Sequence, residues 1–324
     1  NLKMNALITG IAGFAGSHLA DLLVRKKYHV SGIDLAACRT DNIRHLEGKI
    51  KLIHADIYNA QKIKAILCKI KPDMLFHLAA QAFVPDSWVN PEASLKTNIL
   101  GQLNILEAIR ALGLKTSVMI AGSAEEYGLV YKNETPVKET NQFRPLSPYA
   151  VGKIGQDMLG YQYSQSYNLH IVRARAFNHA GPRMTKNFVA SNFAWQIARI
   201  EQKKQEPIIS VGNLNPTRDF TDVRDTVEGY LSILKYGKNG EAYNICSAKA
   251  ITVKKVLDIL LGYSKAGIKV IPDRSRMRPS DVERLVGDNS KIIKDTGWRP
   301  KIPIEKTLKD ILDYWRKKIK DEED

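Results

Sequence analysis

The sequence predicts an α/β protein, a doubly wound parallel sheet carrying a smaller mixed α/β lobe. Three observations predict it. Short apolar runs alternate with helix-periodic stretches through the first half of the chain, and that alternation builds a parallel sheet covered on both faces. A glycine-rich turn joins the first run to the first helix. Beyond Asn178 the alternation loosens into shorter, less regular segments. Right-handed crossovers make the doubly wound topology the natural one for the first part.

The apolar runs lie at residues 5–9, 29–33, 51–54, 74–77, 117–121 and 170–174. Their length and their Val, Ile, Leu and Met content suit strands buried on both faces. Helices are expected between them at 17–26, 60–69, 95–112 and 147–167. In the second half, helices are expected at 191–203, 225–236, 252–261 and 307–318. A Gly-, Asn- and Pro-rich loop is expected at 212–218 and a polar one at 274–281. This part is too small for another complete sheet domain. It reads as a binding lobe built from chain excursions, with one stretch returning to the main sheet. The expected division is residues 1–176 plus about 216–246 in the sheet domain, and about 177–215 plus 247–324 in the lobe.

Composition bounds the partners. The chain has 324 residues, 44% hydrophobic and 26% charged, enough for one large domain or two. No run of eighteen apolar residues occurs, which argues against a membrane span. Residues 1–5 lead straight into the first strand without the charged and apolar regions of a secretory leader, so the expected location is the cytoplasm. Cys38, Cys68 and Cys246 are odd in number and far apart, which suits reduced thiols rather than a disulfide framework or a clustered metal site. The formal charge of +15 comes from scattered lysines and arginines. Such a balance suits small anions such as nucleotides, and without a basic block it does not point to nucleic acid.

Gly10-Ile-Ala-Gly13-Phe14-Ala15-Gly16 follows the first strand and opens the first helix. Glycines there allow a tight turn, close backbone approach to a pyrophosphate and close helix–sheet packing. The helix N-terminus adds free N–H groups and positive dipole character. The spacing departs by one residue from the G-x-G-x-x-G form, and alone it is a weak signal. Asp34 ends the second strand, where a carboxylate accepts hydrogen bonds from the ribose hydroxyls of an adenine dinucleotide and repels a 2′-phosphate. The domain is therefore expected to be a Rossmann domain for NAD(H) or NADP(H), with Asp34 favouring NAD(H) and Arg39 softening that preference. Asp56 and Ile57, after the third run, are placed to flank the adenine, although Asp56 equally suits a helix cap. Leu78, Ala79 and Ala80 close the fourth run, and the small residues let a cofactor lie across the sheet edge.

Tyr149-Ala-Val-Gly-Lys153 opens a helix, and the four-residue spacing puts both side chains on one face. A phenol of ordinary acidity, pKa about 10, shuttles protons poorly at neutral pH. A neighbouring ammonium is expected to lower that value, and it can also bond a nicotinamide ribose. Ser123 ends the fifth run, at the carboxyl end of a strand where such folds gather their ligand chemistry. A hydroxyl there can hold a substrate oxygen during hydride transfer. The glycine turn, ribose acid, strand-end serine and Tyr-x-x-x-Lys pair occur in the order that mechanism needs.

On these motifs the chain resembles the extended short-chain dehydrogenases/reductases, in their nucleotide-sugar branch. The resemblance extends to His77-Leu-Ala-Ala80, Thr97-Asn98, Ser123 to Gly128, Ser147 to Lys153, Arg175-Ala-Phe-Asn178 and Gly297-Trp-Arg-Pro300, nearly the whole chain. It implies Ser123 as the polarising hydroxyl, Tyr149 as acid and base, and Lys153 as its tuner. It brings in Asn98, a structural residue near the active-site helix, beside the cofactor-binding set. It also implies a homodimer built on the helices that hold 97–112 and 149–167.

Within that branch Asn178 to Arg183, Gly212 to Asp219 and Arg276 to Glu283 resemble the substrate segments of enzymes that convert GDP-mannose. The resemblance implies a GDP-linked deoxyhexose substrate, with Asn178 at the diphosphate or sugar, Arg218 and Arg278 on diphosphate oxygens and Asp281 on a ribose hydroxyl. Guanidinium is the favoured bidentate partner of phosphate. Phe220 to Asp225, Asn178 to Pro182, the modest length and Ser123 in place of threonine resemble the 4-keto reductases of the branch. Glu125 resembles the 4,6-dehydratases, where a carboxylate acts as base and acid. The expected reaction is NAD(P)H-dependent reduction of the 4-keto group of GDP-4-dehydro-6-deoxy-D-mannose to GDP-D-rhamnose. GDP-mannose 4,6-dehydration is the alternative, followed by 4-epimerisation of another nucleotide sugar. A nucleotide sensor on the same fold is disfavoured, because the chain keeps both Tyr149 and Lys153.

Overall fold

The computed structural model describes residues 4–276 and 282–321. The chain begins β1 (Asn5–Thr9), α1 (Phe14–Arg25), β2 (His29–Asp34), β3 (Ile50–His54), α2 (Ala60–Ile70) and β4 (Met74–His77). It continues α3 (Val84–Val89), α4 (Pro91–Leu95), α5 (Gly101–Ala111), β5 (Ser117–Ser123), α6 (Pro148–Tyr167) and β6 (Ile171–Ala176). Then follow β7 (Asn178–Ala180), α7 (Val189–Glu201), β8 (Ile208–Val211), β9 (Thr217–Asp222), α8 (Val223–Tyr236) and β10 (Ala242–Ile245). The last elements are β11 (Ala250–Thr252), α9 (Val253–Gly262), β12 (Lys269–Pro272), β13 (Arg284–Leu285), α10 (Ser290–Thr296) and α11 (Ile304–Asp321).

Seven parallel strands form the main sheet in the order β10-β6-β5-β4-β1-β2-β3. Alternation along each strand divides its apolar residues between two cores. Ala6, Ile8, Phe76 and Met119 face the cluster shared with α1 and α8, while Leu7, Leu75, Val118 and Ile120 face the one shared with α2 and α5. The direction of winding reverses between β1 and β4. That reversal opens a crevice at the carboxyl ends of the strands, the place where doubly wound sheets hold ligands. β10 is the returning stretch that the sequence predicts.

The lobe has its own core. β9 pairs with β7, β11 and β13, and β8 pairs with β12. α7, α9 and α11 enclose it. α11 shows why it is helical: Leu308, Ile311, Leu312, Trp315 and Ile319 recur every three or four residues, and all are buried on its inner face. The Trp315 indole N–H donates to Ser191 Oγ at 2.8 Å, which anchors this helix to α7. Among the described residues no helix is long and apolar enough to cross a membrane.

Several expectations need correction. The helix expected at 95–112 is broken: α4 ends at Leu95, residues 96–100 make a π turn, and α5 starts at Gly101. Asn98 in that turn is fully buried and takes the Gln81 backbone, accepting from its N–H at 3.0 Å and donating to its carbonyl at 3.4 Å. Thr217 and Arg218, expected in a loop, begin β9. β9 belongs to the lobe sheet although the expected boundary puts it in the main domain, and α10 packs on α8 and β10 although the expected boundary puts it in the lobe. In both cases side-chain packing, not chain order, decides the side.

Candidate active site

A cleft of about 1460 Å³ runs between the sheet domain and the lobe. Its floor is the glycine turn. Gly10 has φ +74°, and a Cβ there would stand 3.0 Å from Ala79 backbone atoms. A Cβ on Gly16 would stand 2.1 Å from the Gly10 carbonyl oxygen, so α1 could not approach the turn with any larger residue. α1 carries no acidic residue in its first turn and no side-chain cap at Gly13, so its leading N–H groups meet no competing side chain. Gly10, Gly13, Phe14, Ala15 and Gly16 all line the cleft. The donor set, the absent Cβ atoms and the strand-end acid fit the diphosphate and ribose of a nicotinamide dinucleotide.

Asp34 also lines the cleft, but it is engaged. One oxygen accepts from Ala12 N–H and the other from Leu35 N–H, both at 2.9 Å. A carboxylate offers about four acceptor positions, so ribose hydroxyls still find room. Arg39 lies on the rim and pairs with Asp41 at 3.2 Å. Asp56, Ile57, Leu78, Ala79 and Ala80 line the same end. Asp56 is not the cap of α2. It holds a turn through Tyr58 N–H at 2.9 Å, and Asn59 is the cap. Asn98 is not among the cleft-lining residues, and its contribution is to fix the segment after β4.

The residues expected to carry the chemistry meet where β5 adjoins α6. Ser123 is the last residue of β5, and its Oγ accepts from Glu125 N–H at 3.2 Å. Ser147 caps α6 by accepting from Ala150 N–H at 3.1 Å, with Pro148 as the first helical residue, a pairing that starts the helix sharply. Tyr149 and Lys153 then face inward one turn apart. Ser123, Tyr149 and Lys153 all line the cleft. Lys153 Nζ donates to the Ala121 carbonyl at 2.8 Å and stands 5.9 Å from the Tyr149 ring centre.

The electrostatics reverse one expectation. Burial pushes the Tyr149 phenol above its ordinary value; the Ser123 side chain opposes this, and Glu125 and Glu126 reinforce it. The Lys153 ammonium does not outweigh that desolvation, because it is turned to Ala121 and is itself buried. Burial lowers Lys153 to about 8, with Glu126 opposing. His77 lies beneath, bonded to Thr9 at 2.8 Å and Gln156 at 3.1 Å, and burial followed by the Lys153 charge pushes it down to about 3.

Glu126 is a site residue that the sequence analysis passes over. It is fully buried and accepts from Ser123 N–H at 2.7 Å. Its only signal is a second glutamate in Glu125-Glu126-Tyr127. Of the substrate-segment residues, Asn178 and Arg218 line the cleft. Arg218 donates to the Thr217 carbonyl at 3.0 Å and the Val282 carbonyl at 2.6 Å. Arg278 and Asp281 lie outside the described residues. Lys186 and Trp195 of the lobe wall, 4.6 Å apart as cation and ring, were not anticipated either.

Comparison with known proteins gives the family. Residues 7–311 match the family described as GDP-mannose 4,6 dehydratase. The chain is 31% identical to the GDP-6-deoxy-D-mannose reductase of Pseudomonas aeruginosa, over 99% of this chain and 100% of that protein. It is 32% identical to the GDP-mannose 4,6-dehydratase of Vibrio cholerae serotype O1, over 96% of this chain and 93% of that one. The solved structure of RMD from Pseudomonas aeruginosa complexed with NADPH superposes with a TM-score of 0.84 at 30% identity, covering 98% of this chain and 100% of that one. With fold, cleft and sequence in agreement over almost their full length, this chain belongs to the GDP-mannose 4,6-dehydratase family of extended short-chain dehydrogenases/reductases.

Proposed function

We propose that the chain reduces the 4-keto group of GDP-4-dehydro-6-deoxy-D-mannose to GDP-D-rhamnose, using a reduced nicotinamide dinucleotide. One observation carries the reading: Ser123 at the end of β5 and Tyr149 and Lys153 one turn apart on α6 all line the cleft, so a phenol stands where it can donate to an oxygen bound there. Reduction of a ketone needs such a donor at the carbonyl oxygen. When bound on the glycine turn, the cofactor supplies the hydride. Ser123 holds the carbonyl oxygen, Tyr149 gives it a proton, and Lys153 balances the charge left on the phenol. Asn178 and Arg218, with Arg278 and Asp281, bind the sugar diphosphate and ribose. The full-length likeness to a reductase supports the same reading.

Glu125 favours a second reading, 4,6-dehydration of GDP-mannose. It lines the cleft beside Tyr149, where a carboxylate can remove and return a proton. Asp34 makes NAD(H) the preferred cofactor, since a 2′-phosphate would meet its charge. The protein acts in the cytoplasm as a homodimer, its two copies joined through α6, where Val151, Met158 and Tyr161 are exposed apolar residues on one chain. A paired assay tests the reading: the purified protein with NADH or NADPH and the 4-keto sugar nucleotide, then with GDP-mannose and no reductant. Consumption of the reduced cofactor in the first arm, with no 4-keto product in the second, supports the reductase. A 4-keto product in the second arm replaces it with the dehydratase.

A further inference from the structure

A chain of hydrogen bonds behind the cleft joins α6 to the strand ends beside the glycine turn. On α6, Tyr149, Lys153 and Gln156 recur at i, i+4 and i+7, so they share one buried face. Tyr149 and Lys153 reach the cleft, and Gln156 continues the face behind it. Gln156 Nε2 lies 3.1 Å from His77 Nε2, and His77 Nδ1 lies 2.8 Å from Thr9 Oγ1. Thr9 Oγ1 also accepts from Ala79 N–H at 3.2 Å. From α5, Gln102 Nε2 donates to the Gln156 carbonyl at 2.7 Å and holds the same turn of α6. Thr9, His77, Gln102 and Gln156 are each at most 1% exposed.

Thr9 and His77 end β1 and β4 and stand opposite each other in the parallel register. These are the two strands between which the winding reverses. Thr9 leads into Gly10, and Ala79 is the residue that a Cβ on Gly10 would meet at 3.0 Å. The chain of bonds therefore ties the helix bearing Tyr149 and Lys153 to both sides of the crevice floor. Apolar contact supplies cohesion without direction, whereas a fully bonded buried polar network fixes one arrangement. We propose that His77 is a positioning residue: with Gln156 and Thr9 it staples α6 to the ends of β1 and β4, and so sets where Tyr149 and Lys153 stand relative to the glycine turn. This deepens the function proposed above and rests on Tyr149 and Lys153 being its catalytic pair.

Histidine suits the place because an imidazole carries a nitrogen on either edge, so one ring bridges a helix and a strand. A neutral ring has one N–H and one lone pair, and a side-chain amide nitrogen only donates. Gln156 thus makes Nε2 the acceptor and leaves the ring proton on Nδ1, directed to Thr9. Burial, and then the Lys153 charge, keep the ring neutral. A misplacement of about 1 Å at reacting groups costs on the order of a hundredfold in rate, so a staple of this kind acts on the chemical step without touching the substrate.

The test uses the full chain as wild type, Gln156→Met, Thr9→Val and Thr9→Ser. Methionine and valine keep most of the volume and remove one bond each, and serine keeps the hydroxyl. The first readout needs no reaction: the NMR resonances of the two isotope-labelled ring nitrogens of His77 in cofactor-free protein, assigned with His77→Asn. The Nε2 resonance is expected to move in Gln156→Met and the Nδ1 resonance in Thr9→Val, with Thr9→Ser close to wild type. The second readout is single-turnover hydride transfer to the keto sugar, beside cofactor affinity and sugar KM. Gln156→Met and Thr9→Val should each slow transfer about ten- to a hundredfold per folded molecule, with affinity and KM held within about twofold. Thr9→Ser should recover most of that rate. Ring resonances that ignore both substitutions overturn the proposal. So does a lower melting temperature with transfer unchanged, which would mean a packing role only, and so does a loss that falls on cofactor affinity instead. Either substitution decides alone if the other variant does not fold. If wild-type protein does not reduce the keto sugar, the same rates are read with oxidised cofactor and GDP-mannose. Slowing there keeps the staple and fails the reductase reading, and reaction with neither sugar overturns both.

Discussion

Replacing Tyr149 with phenylalanine removes one oxygen and keeps the ring. The ring is 8% exposed and packed at the start of α6, so its apolar contacts persist. What is lost is one buried hydroxyl, a cost to stability of about 1 kcal/mol. Ser123 Oγ retains the Glu125 N–H donor, so the strand end keeps its shape. The chemical loss is larger. A positioned general acid contributes about 10²–10⁴-fold, equivalent to about 3–5.5 kcal/mol of barrier. Turnover should therefore fall by at least about a hundredfold while cofactor affinity, set mainly at the glycine turn, changes little. The assay is single-turnover oxidation of the reduced cofactor with the 4-keto sugar nucleotide, alongside a binding titration monitored by cofactor fluorescence. Near-full turnover in the variant would refute Tyr149 as the proton donor. Loss of cofactor binding in parallel would show instead that the phenol serves the site as a binding group.

Two further outcomes follow from the same structure. Gly16→Ala puts a Cβ 2.1 Å from a backbone oxygen that cannot rotate away, so α1 must move off the turn; cofactor affinity measured by titration should drop at least about tenfold with the fold retained, and unchanged affinity would mean that the turn does not hold the diphosphate. Burial lowers His18 to about 4 and His77 to about 3. Both bind protons more readily when unfolded, so their contribution is intact above the unfolded value of about 6.5 and is lost as pH falls from there toward the folded values. Urea melts should therefore show roughly 2–3 kcal/mol less stability near pH 5.5 than near pH 7.5, with a shallower dependence in His18→Gln; a flat profile would contradict the neutral, buried state of these rings.

The strands at 5–9 and 74–77 match their expected limits because each is a short apolar run with both faces buried, a pattern fully present in local composition. The lobe strands were harder. β7, β11 and β13 are two or three residues long, and such pieces form only because β9 is there to pair with them. The break at 96–100 is equally non-local, since Asn98 leaves the helical pattern to serve the backbone of Gln81, seventeen residues earlier. At the site, residue type and spacing were enough to expect Ser123, Tyr149 and Lys153 in one cleft, where the structure puts them. Burial was not legible: Glu126 sits in a polar stretch that reads as exposed, and the Tyr149 phenol moves opposite to the direction that a neighbouring lysine alone would impose. Desolvation is a property of what surrounds a group in space, and nothing in the Tyr-x-x-x-Lys spacing records it.

Asp34 carries a consequence for cofactor engineering. The same carboxylate that would meet a ribose also braces the glycine turn through Ala12 and its own strand end through Leu35. Selectivity and scaffold are thus vested in one side chain. Exchanging it for a neutral residue to admit a phosphorylated ribose would release two backbone amides and slacken the loop meant to grip the pyrophosphate, so either coenzyme would bind less well. A redesign has to supply a substitute acceptor for those amides before it can usefully change the charge.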